Sequence, residues 1–448
     1  MPSEDLQIPL AFLDKISPRG LETIKKVKHF VETECIPADE VYLGQLSTDP
    51  ATRWSVIPPI IEELKAKAQK LGLWNLFLCN NYEEYGAGFT NLEYGLMAQQ
   101  LGRSHTGPEA TNTAAPDTGN TELLVKYGSV YHKEKYLKPL LEGKIRSAFL
   151  MTEKGTSSSN ALNICCSAVR KGDNFVLNGV KWFASGAGDP RAAVWLTMCQ
   201  TAQGDLQGPA QYTKHSVLVL DVARALASGR AKVIRPLQVF GMDDAPHGHC
   251  EIVFDNYVVP VENAVLGSVG QGFEIIQSRL GPGRIHHCMR VIGLGEQALL
   301  HAYHRASNRK IAGDYLSNSE TWRYAFGEHK ITLEQCRMLV LNAAHAIDHY
   351  GVAKHAQRDI AMAKIVAPRE VIKIVDWCIQ VFGAEGVSQD TPLARMWMHS
   401  RTLRIADGPD ESHLNQFSRN ELRKLRYVND AFAASDRKTK ELIGAAKL

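Results

Sequence analysis

Hydrophobic positions along this chain change their period twice, and the two changes divide it into three segments. In the first segment, from about Leu6 to Gly143, apolar residues recur at helical spacing, as at Ile61, Leu64, Ala68 and Leu71. Clusters of Gly and Pro interrupt this spacing. The pattern therefore predicts a helical domain with loops between its helices.

The middle segment, from about Ser147 to Asn263, has the pattern of short strands. Runs of β-branched and aromatic residues are separated by Asn, Gly and Pro at spacings that suit antiparallel pairing. Such a segment, with almost no helical periodicity, predicts a small β-barrel or sandwich, of which we favour the barrel. The clearest runs are Phe175-Val176-Leu177, Val217-Leu218-Val219-Leu220 and Ile252-Val253-Phe254.

Helical spacing returns after Gly272 and continues to the end of the chain. One apolar face is formed by residues at i, i+3, i+4, i+7 and i+11 of a helix: Val371, Ile374, Val375, Cys378 and Phe382. Long amphipathic helices of this kind predict a bundle. The expected fold class is α+β and multi-domain. Its parts are an N-terminal helical domain (1–146), a middle antiparallel β-barrel domain (147–263) and a C-terminal four-helix-bundle domain (264–448).

Composition and charge exclude several classes of protein. The 448 residues are 44% hydrophobic and 22% charged, which is typical of globular proteins and not of disordered chains. Lys and Arg exceed Asp and Glu by only three, which argues against a dedicated nucleic-acid binder. No apolar run approaches the length of a membrane span, and the first residues lack a signal-peptide pattern. The nine Cys include no CxxC pair and predict reduced thiols.

Two short motifs resemble known binding sites but lack parts of them. The segment from His247 to Cys250 could supply metal ligands, yet no second cluster completes a site, so we expect no metal. Gly293-Leu294-Gly295 lacks the third glycine of a dinucleotide fingerprint and falls inside a helical pattern. Helix packing is the better interpretation of these glycines.

Several longer motifs, in order over most of the chain, resemble the acyl-CoA dehydrogenase superfamily, and most closely its branch of family members ten and eleven. They are Ala115-Pro116-Asp117-Thr118-Gly119-Asn120, Met151-Thr152-Glu153, Arg279-Leu280-Gly281-Pro282-Gly283-Arg284-Ile285-His286-His287 and Ala406-Asp407-Gly408-Pro409-Asp410-Glu411. The helical, β, helical order is also that family's architecture. The resemblance implies FAD-dependent oxidation of the Cα–Cβ bond of an acyl-CoA thioester. A carboxylate would remove the α-proton while the β-hydride passes to flavin N5.

The resemblance implies that Asp407 is the catalytic base. Most family members carry Glu before Gly at this place, whereas the member-ten/eleven branch carries Asp, as here. The other place where relatives carry a base matches Gly283, which has no carboxylate. By residue type alone, Asp407 would equally suit a turn or the cap of a helix.

The resemblance also implies which residues contact the cofactor and the substrate. Phe183 would stack near the flavin ring, and Ser185, in place of the usual Thr, would approach N5. The full set of cofactor-facing residues in this subunit is Phe149, Met151, Thr152, Ser159, Phe183, Ser185, Pro409, Asp410 and Glu411. The substrate-binding residues are Ser158, Ser159, Gly281, Gly283, Arg284 and Gly408. Ser159 is the first match for the family's acyl-CoA serine and Ser158 the near alternative, while Asn160 replaces the usual Asp.

In this family a neighbouring subunit holds the adenosine and pyrophosphate of FAD. The corresponding residues are Arg309, Gln380, Phe382, Gly383 and Ala384. Ala384 and Ala312 depart from the usual Gly and Phe. Shared sites of this kind imply a homodimer or a homotetramer.

The main hypothesis is therefore an FAD-dependent acyl-CoA dehydrogenase of fatty-acid β-oxidation, which passes electrons to electron-transferring flavoprotein or to oxygen. The alternative is an FAD-dependent oxidase or desaturase with a non-CoA or specialised substrate, and the third hypothesis is an FAD-binding homologue without activity. Ala446-Lys447-Leu448 resembles the Ser-Lys-Leu peroxisomal address, so we expect a peroxisomal location, otherwise a cytoplasmic or mitochondrial one.

Overall fold

The computed structural model describes residues 6–202, 204, 206–351 and 356–446, without the side chains of Glu83 and of residues 280–282. Two predictions fall at least partly outside this description and are not tested. The first is Gly281 as a substrate contact. The second is the C-terminal peroxisomal tripeptide, because Lys447 and Leu448 are not described. In the described part of the chain, no helix is both long and apolar enough to cross a membrane.

The N-terminal region is helical, as the spacing predicts. Its longer helices are α1 (Pro18–Phe30), α2 (Ile36–Gln45), α3 (Pro59–Lys70), α4 (Asn91–Leu101) and α5 (Asp117–Tyr127). Shorter turns are Leu10–Leu13, Val31–Cys35, Asn80–Tyr85, Gly107–Ala110, Val130–His132, Lys133–Leu137 and Lys138–Leu141. Helix α4 begins with a capping box between Thr90 and Glu93, and every residue of the helix is buried.

The middle region is one sheet of eight strands. They are β1 (Arg146–Leu150), β2 (Ser167–Lys171), β3 (Asn174–Ser185), β4 (Ala192–Gln200), β5 (His215–Asp221), β6 (Ala231–Leu237), β7 (His249–Pro260) and β8 (Val265–Leu266). Short helical turns at Ala161–Asn163, Gly208–Thr213 and Val222–Ala227 connect some of them. The strand order is β6-β7-β3-β2-β4-β5-β8, with β1 paired to β4.

The prediction of an antiparallel barrel is wrong in two respects. The sheet is open, because among the described residues β6 pairs only with β7 and the two-residue β8 pairs only with β5. It is also mixed, because β1 runs parallel to β4. Closure requires pairing between the first and last strands of the order, and a two-residue strand offers few backbone groups for that pairing.

The C-terminal region is helical and confirms the predicted order. Its elements are α6 (Gly272–Asn308), α7 (Glu320–Tyr350), α8 (Gln357–Phe382), α9 (Leu393–Leu403), α10 (Asp410–Lys424) and α11 (Val428–Ala445). A hairpin, β9 (Lys310–Ile311) and β10 (Asp314–Tyr315), follows α6, and short turns lie at Leu316–Asn318, Gly383–Val387 and Leu425–Tyr427. One apolar core joins α4, α6, α7 and α8. The boundaries at 146/147 and 263/264 stay predictions.

A buried ion-pair network joins the N-terminal helices to the sheet. At the start of β1, Arg146 contacts Asp117 through Nε at 2.5 Å and Glu109 through Nη1 at 2.7 Å. Asp117 also accepts hydrogen bonds from the backbone N–H and hydroxyl of Ser147. Arg146 and Asp117 are buried, Glu109 is half-buried and all three are paired, so this network holds the start of β1 against the start of α5.

Candidate active site

The turn between α9 and α10 carries Asp407 in an uncommon backbone conformation. Asp407 has φ +54° and Gly408 has φ +104°, so two successive residues lie in the left-handed region. Two cations hold the turn, the half-buried Arg284 and the buried Lys364. Arg284 donates from Nε to the backbone oxygen of Asp407 at 3.0 Å, and Lys364 donates from Nζ to those of Gly408 (3.5 Å) and Leu403. This turn directs the carboxylate towards α6.

The carboxylate of Asp407 lies among residues of one face of α6. Its Oδ1 is 3.7 Å from Nη1 of Arg279, and its Oδ2 is 3.4 Å from Nε2 of His287. A Cβ placed on Gly283 would lie 3.1 Å from Oδ2. Because Arg279, Gly283 and His287 are spaced at i, i+4 and i+8, they form one face, and the glycine leaves room for the acid.

This environment keeps the acid ionised. Burial by itself would raise the pKa of Asp407, but the contact with His287 and the nearby positive charges outweigh this effect and lower that pKa. These charges belong to Arg279, Lys364 and Arg284. Burial lowers the pKa of His287 to about 4, so its imidazole is neutral at neutral pH. Asp407 is therefore a partly exposed carboxylate able to accept a proton.

A continuous surface leads from this acid to the sheet. The guanidinium of Arg279 lies 4.3 Å above the ring of Phe149 on β1. Directly after β1, the backbone oxygen of Met151 accepts from Lys181, and that of Thr152 accepts from the backbone N–H of Trp182 at 2.8 Å. The structure thus brings Phe149, Met151 and Thr152 together with the strand that carries Phe183 and Ser185.

The end of β3 bends at a bulge. Phe183 has φ +58°, and the pairing of β3 with β7 shifts between Lys181 and Ala184. The ring of Phe183 stacks on His249 with centroids 4.2 Å apart, and Ser185 shares a 2.8 Å hydrogen bond with the same imidazole. Phe183 and Trp182 also line a cavity of about 920 Å³.

The loop after Thr152 is held by its own side chains. The Glu153 carboxylate accepts hydrogen bonds from the backbone N–H groups of Cys165 and Cys166 and pairs with Lys181 at 2.8 Å. The Ser158 hydroxyl accepts from the backbone N–H of Glu153, whereas Ser159 is exposed and hydrogen-bonds Ser157. Ser159 is therefore the more available of the two predicted serines.

The residues after Gly408 have different environments. One oxygen of the buried Asp410 carboxylate accepts from Nε of Arg369 at 2.8 Å and from Nε of Arg404 at 2.9 Å. Glu411 is exposed and Pro409 is half-buried. Asp410 thus ties the start of α10 to the turn, while its predicted cofactor contact stays a prediction.

Arg309 and the segment from Gln380 to Ala384 lie together, away from Asp407. Arg305 contacts Phe382 through a cation–π interaction at 5.1 Å and pairs with Glu385 at 2.8 Å, and Arg309 caps the same end of α6. Arg284 lies within α6, and Arg309 directly follows its last residue. Their separation of 25 residues corresponds to roughly 37 Å at 1.5 Å per residue. Arg309, Gln380, Gly383 and Ala384 are exposed.

Sequence reasoning missed several side chains of this region as site residues. Arg279 and His287 stood in a motif, and their spacing from Gly283 was the signal that could have selected them. Lys364 gave no such signal. Glu122 on α5 gave none either: both its carboxylate oxygens are buried without a hydrogen-bond partner among the described residues, and burial raises its pKa to about 7.

His249 was considered only as a metal ligand. In the described part of the chain, no three His, Cys, Asp or Glu side chains are grouped so as to hold a metal ion. The neighbouring His247 instead contacts Asp189 at 3.2 Å and Arg146 at 3.0 Å. The two histidines therefore have separate partners, on opposite sides of Gly248.

Family models match nearly the whole chain. The N-terminal domain of acyl-CoA dehydrogenase matches residues 21–144, the middle domain matches 148–257 and the C-terminal domain matches 270–422. The three models occur in the order in which the helical, sheet and helical regions occur in the structure.

Curated relatives carry the same description. Acyl-CoA dehydrogenase family member 11 of Gallus gallus is 44% identical over 411 residues, covering 91% of this chain and 51% of the relative. Probable acyl-CoA dehydrogenase FadE2 of Mycobacterium tuberculosis is 45% identical over 379 residues, covering 84% of this chain and 88% of the relative. The chain thus spans about half the length of the family-member-11 relatives that it matches.

Solved structures share the fold. A putative acyl-CoA dehydrogenase from Mycobacterium abscessus superposes with a TM-score of 0.84 at 41% identity, covering 91% of this chain and 99% of that chain. A glutaryl-CoA dehydrogenase from Mycobacterium smegmatis in complex with FADH2 superposes with a TM-score of 0.72 at 20% identity, covering 92% and 96%. At that lower identity the second comparison concerns the fold alone.

Proposed function

This chain belongs to the acyl-CoA dehydrogenase family, and from that premise we propose that it oxidises the Cα–Cβ bond of an acyl-CoA thioester with FAD as its cofactor. The family and the order of helical, sheet and helical regions are those that the sequence predicted. We also propose an acyl group, a pathway and an electron acceptor for it.

The observation that carries this proposal is the placement of Asp407. Its carboxylate is ionised, partly exposed and held by a turn whose backbone oxygens are bound by Arg284 and Lys364. A general base needs this combination of a free lone pair and a fixed position. In the proposed reaction, Asp407 removes the α-proton and the backbone of Gly408 lies against the thioester.

The residues beside the cavity fit an aromatic cofactor. Trp182 and Phe183 line it, and its three arginines already have acidic partners: Arg53 pairs with Asp243, Arg235 with Glu251 and Arg395 with Asp244. The indole N–H of Trp182 is buried and has no hydrogen-bond partner among the described residues. FAD supplies the hydride acceptor for this chemistry when it is bound. Thr152, Phe183 and Ser185 would orient its ring, and Met151 and Phe149 would pack beside it.

We place the second half of the FAD site on a partner subunit. Arg309, Gln380, Phe382, Gly383 and Ala384 are gathered at the end of α6 opposite to Asp407. A group about 37 Å along the helix does not reach the same flavin, so these residues would serve the site of a second copy. We therefore propose a homodimer or a homotetramer.

Fatty-acid β-oxidation is the proposed role, with electron-transferring flavoprotein or oxygen as the acceptor. The two acceptors are distinguished by the behaviour of the reduced enzyme in air. Rapid reoxidation with one peroxide per FAD would support oxygen, and a reduced flavin that is stable in air would support the flavoprotein.

The test is an anaerobic titration of the purified protein with short, medium and very long acyl-CoAs while the blue absorbance band of the flavin is recorded. The matched variant is Asp407→Asn, which removes the base but retains the size of the side chain. We expect bleaching of the wild type by one chain-length class, and binding without bleaching by the variant.

Other outcomes would overturn parts of the proposal. A yellow protein that no acyl-CoA bleaches would favour a non-CoA substrate for the same fold. A protein that cannot be loaded with FAD would exclude the reaction altogether. Equal bleaching of wild type and Asp407→Asn would show that another group is the base.

A further inference from the structure

His249 and Ser185 are direct neighbours across two antiparallel strands. Ser185 is the last residue of β3 and His249 the first of β7, and the two are paired in the register of the sheet. Their side chains meet on one face, where Oγ of Ser185 lies 2.8 Å from Nδ1 of His249. This distance is that of a well-formed hydrogen bond.

The same imidazole supports the aromatic residue of this region. The ring of Phe183 stacks on His249 with an interplanar angle of 23° and centroids 4.2 Å apart. The bulge at Phe183, where φ is +58°, allows this contact two residues before Ser185. His249 therefore contacts both side chains of β3 that the proposed function assigns to the flavin.

The chemistry of a neutral imidazole makes this contact directional. Burial lowers the pKa of His249 to about 4, so at neutral pH one ring nitrogen is a donor and the other an acceptor. A serine hydroxyl has one hydrogen and two lone pairs. If Nδ1 accepts the hydrogen of Ser185, the hydroxyl can only accept a hydrogen bond from the flavin. If Nδ1 donates instead, the hydroxyl keeps its hydrogen and can donate it to the flavin.

We propose that His249 is a positioning residue that takes the hydroxyl hydrogen of Ser185 on Nδ1 and thereby turns the lone pairs of Ser185 towards the flavin. This inference rests on the proposed function, because it concerns the FAD that Ser185 would contact. An acceptor at that place favours the reduced cofactor, whose N5 carries a hydrogen, over the oxidised cofactor, whose N5 does not. His249 thus raises the affinity of the site for reduced FAD relative to oxidised FAD.

The test compares the reduction potentials of FAD in the holoenzyme, four single variants and the double variant His249→Phe/Ser185→Ala. His249→Phe keeps an aromatic ring and loses the acceptor, His249→Asn restores a side chain that can bond Ser185, and Ser185→Ala removes the hydroxyl. The fourth variant, His215→Phe, is the matched control. His215 also begins a strand, is buried and makes one hydrogen bond, to the backbone oxygen of Ile164 at 2.8 Å.

We expect His249→Phe to shift the equilibrium about tenfold towards oxidised FAD, which is a fall of about 30 mV for a two-electron couple. Ser185→Ala should give a similar fall, and the double variant no more than either, because the two side chains act through one hydrogen bond. His249→Asn should restore most of the potential, and His215→Phe should leave it unchanged.

An Nδ1 that carries a hydrogen would overturn the inference, and so would either of two results for the potential. One is a potential in His249→Phe equal to that of the wild type, and the other is a double variant whose shift is the sum of the two single shifts. A second measurement, the ¹⁵N chemical shift of His249, reports whether Nδ1 carries a hydrogen and should show that it does not. If the wild type binds no FAD, the proposed function fails, whereas the state of Nδ1 is still measured by this shift.

Discussion

Arg284 donates a hydrogen bond from Nε to the backbone oxygen of Asp407 at 3.0 Å, although the two residues are 123 positions apart. The bond holds the acid by its backbone and leaves both carboxylate oxygens for other contacts. Lys364 holds the next carbonyl, that of Gly408. Two charges from two helices thus fix a left-handed turn that would otherwise be strained.

Replacement of the acid should remove the reaction without removing the cofactor. Asp407→Asn keeps the shape of the side chain but cannot accept a proton, so we expect kcat/KM to fall by about 10²- to 10⁴-fold. The visible spectrum of bound FAD should be unchanged. Loss of FAD from this variant would indicate a structural role for Asp407 instead.

The space beside the acid should be sensitive to one methyl group. Gly283→Ala would place a Cβ 3.1 Å from Oδ2 of Asp407, which is closer than ordinary contact, so the carboxylate must shift and kcat should fall. Gly327→Ala is the control, because its Cβ would meet nothing within 4 Å. Steady-state kinetics of both variants should separate them, and equal rates would contradict the arrangement described here.

The charge of Lys364 should appear in the pH dependence of the reaction. This charge lowers the pKa of Asp407, and activity falls as pH decreases through that pKa because the base becomes protonated. In the wild type this loss should lie below the ordinary Asp pKa of about 3.9. Lys364→Met should move it to higher pH, and Lys364→Arg, which keeps the charge, should not. The measurement is kcat/KM against pH.

Buried histidines should destabilise the fold in mild acid. Burial lowers the pKa of His286 to about 3 and that of His413 to about 4, so below the model-peptide pKa of about 6.5 the unfolded chain binds protons that the folded chain does not. The free energy of unfolding should therefore fall between about pH 6.5 and 4, by about 1.4 kcal/mol per pH unit for each histidine. Urea unfolding at several pH values should show a smaller slope for His413→Gln than for the exposed control His29→Gln.

The ion pairs at the start of β1 should contribute strongly to stability. Arg146→Met leaves the buried carboxylate of Asp117 and the half-buried carboxylate of Glu109 without this partner, which should cost about 3–5 kcal/mol of unfolding free energy. Arg230→Met breaks only the exposed pair with Asp255 and should cost about 1 kcal/mol or less. A similar loss in both variants would show that the network contributes little.

The sequence by itself determined the order of helical, sheet and helical regions, because hydrophobic periodicity is a local property. It also indicated the family, because a motif such as Ala406-Asp407-Gly408 is recognised from the types and order of its residues alone. The open, mixed sheet was not predictable, because closure and the parallel pairing of β1 with β4 depend on contacts between distant strands.

Only the tertiary structure decided the environment of the candidate site. The pKa of Asp407 depends on charges from α6 and α8, and Ser185 meets His249 from 64 residues away. Residue types can name a base or a hydroxyl, but burial and neighbouring charges act through space, and these decide whether the acid is ionised and which side chain the hydroxyl meets.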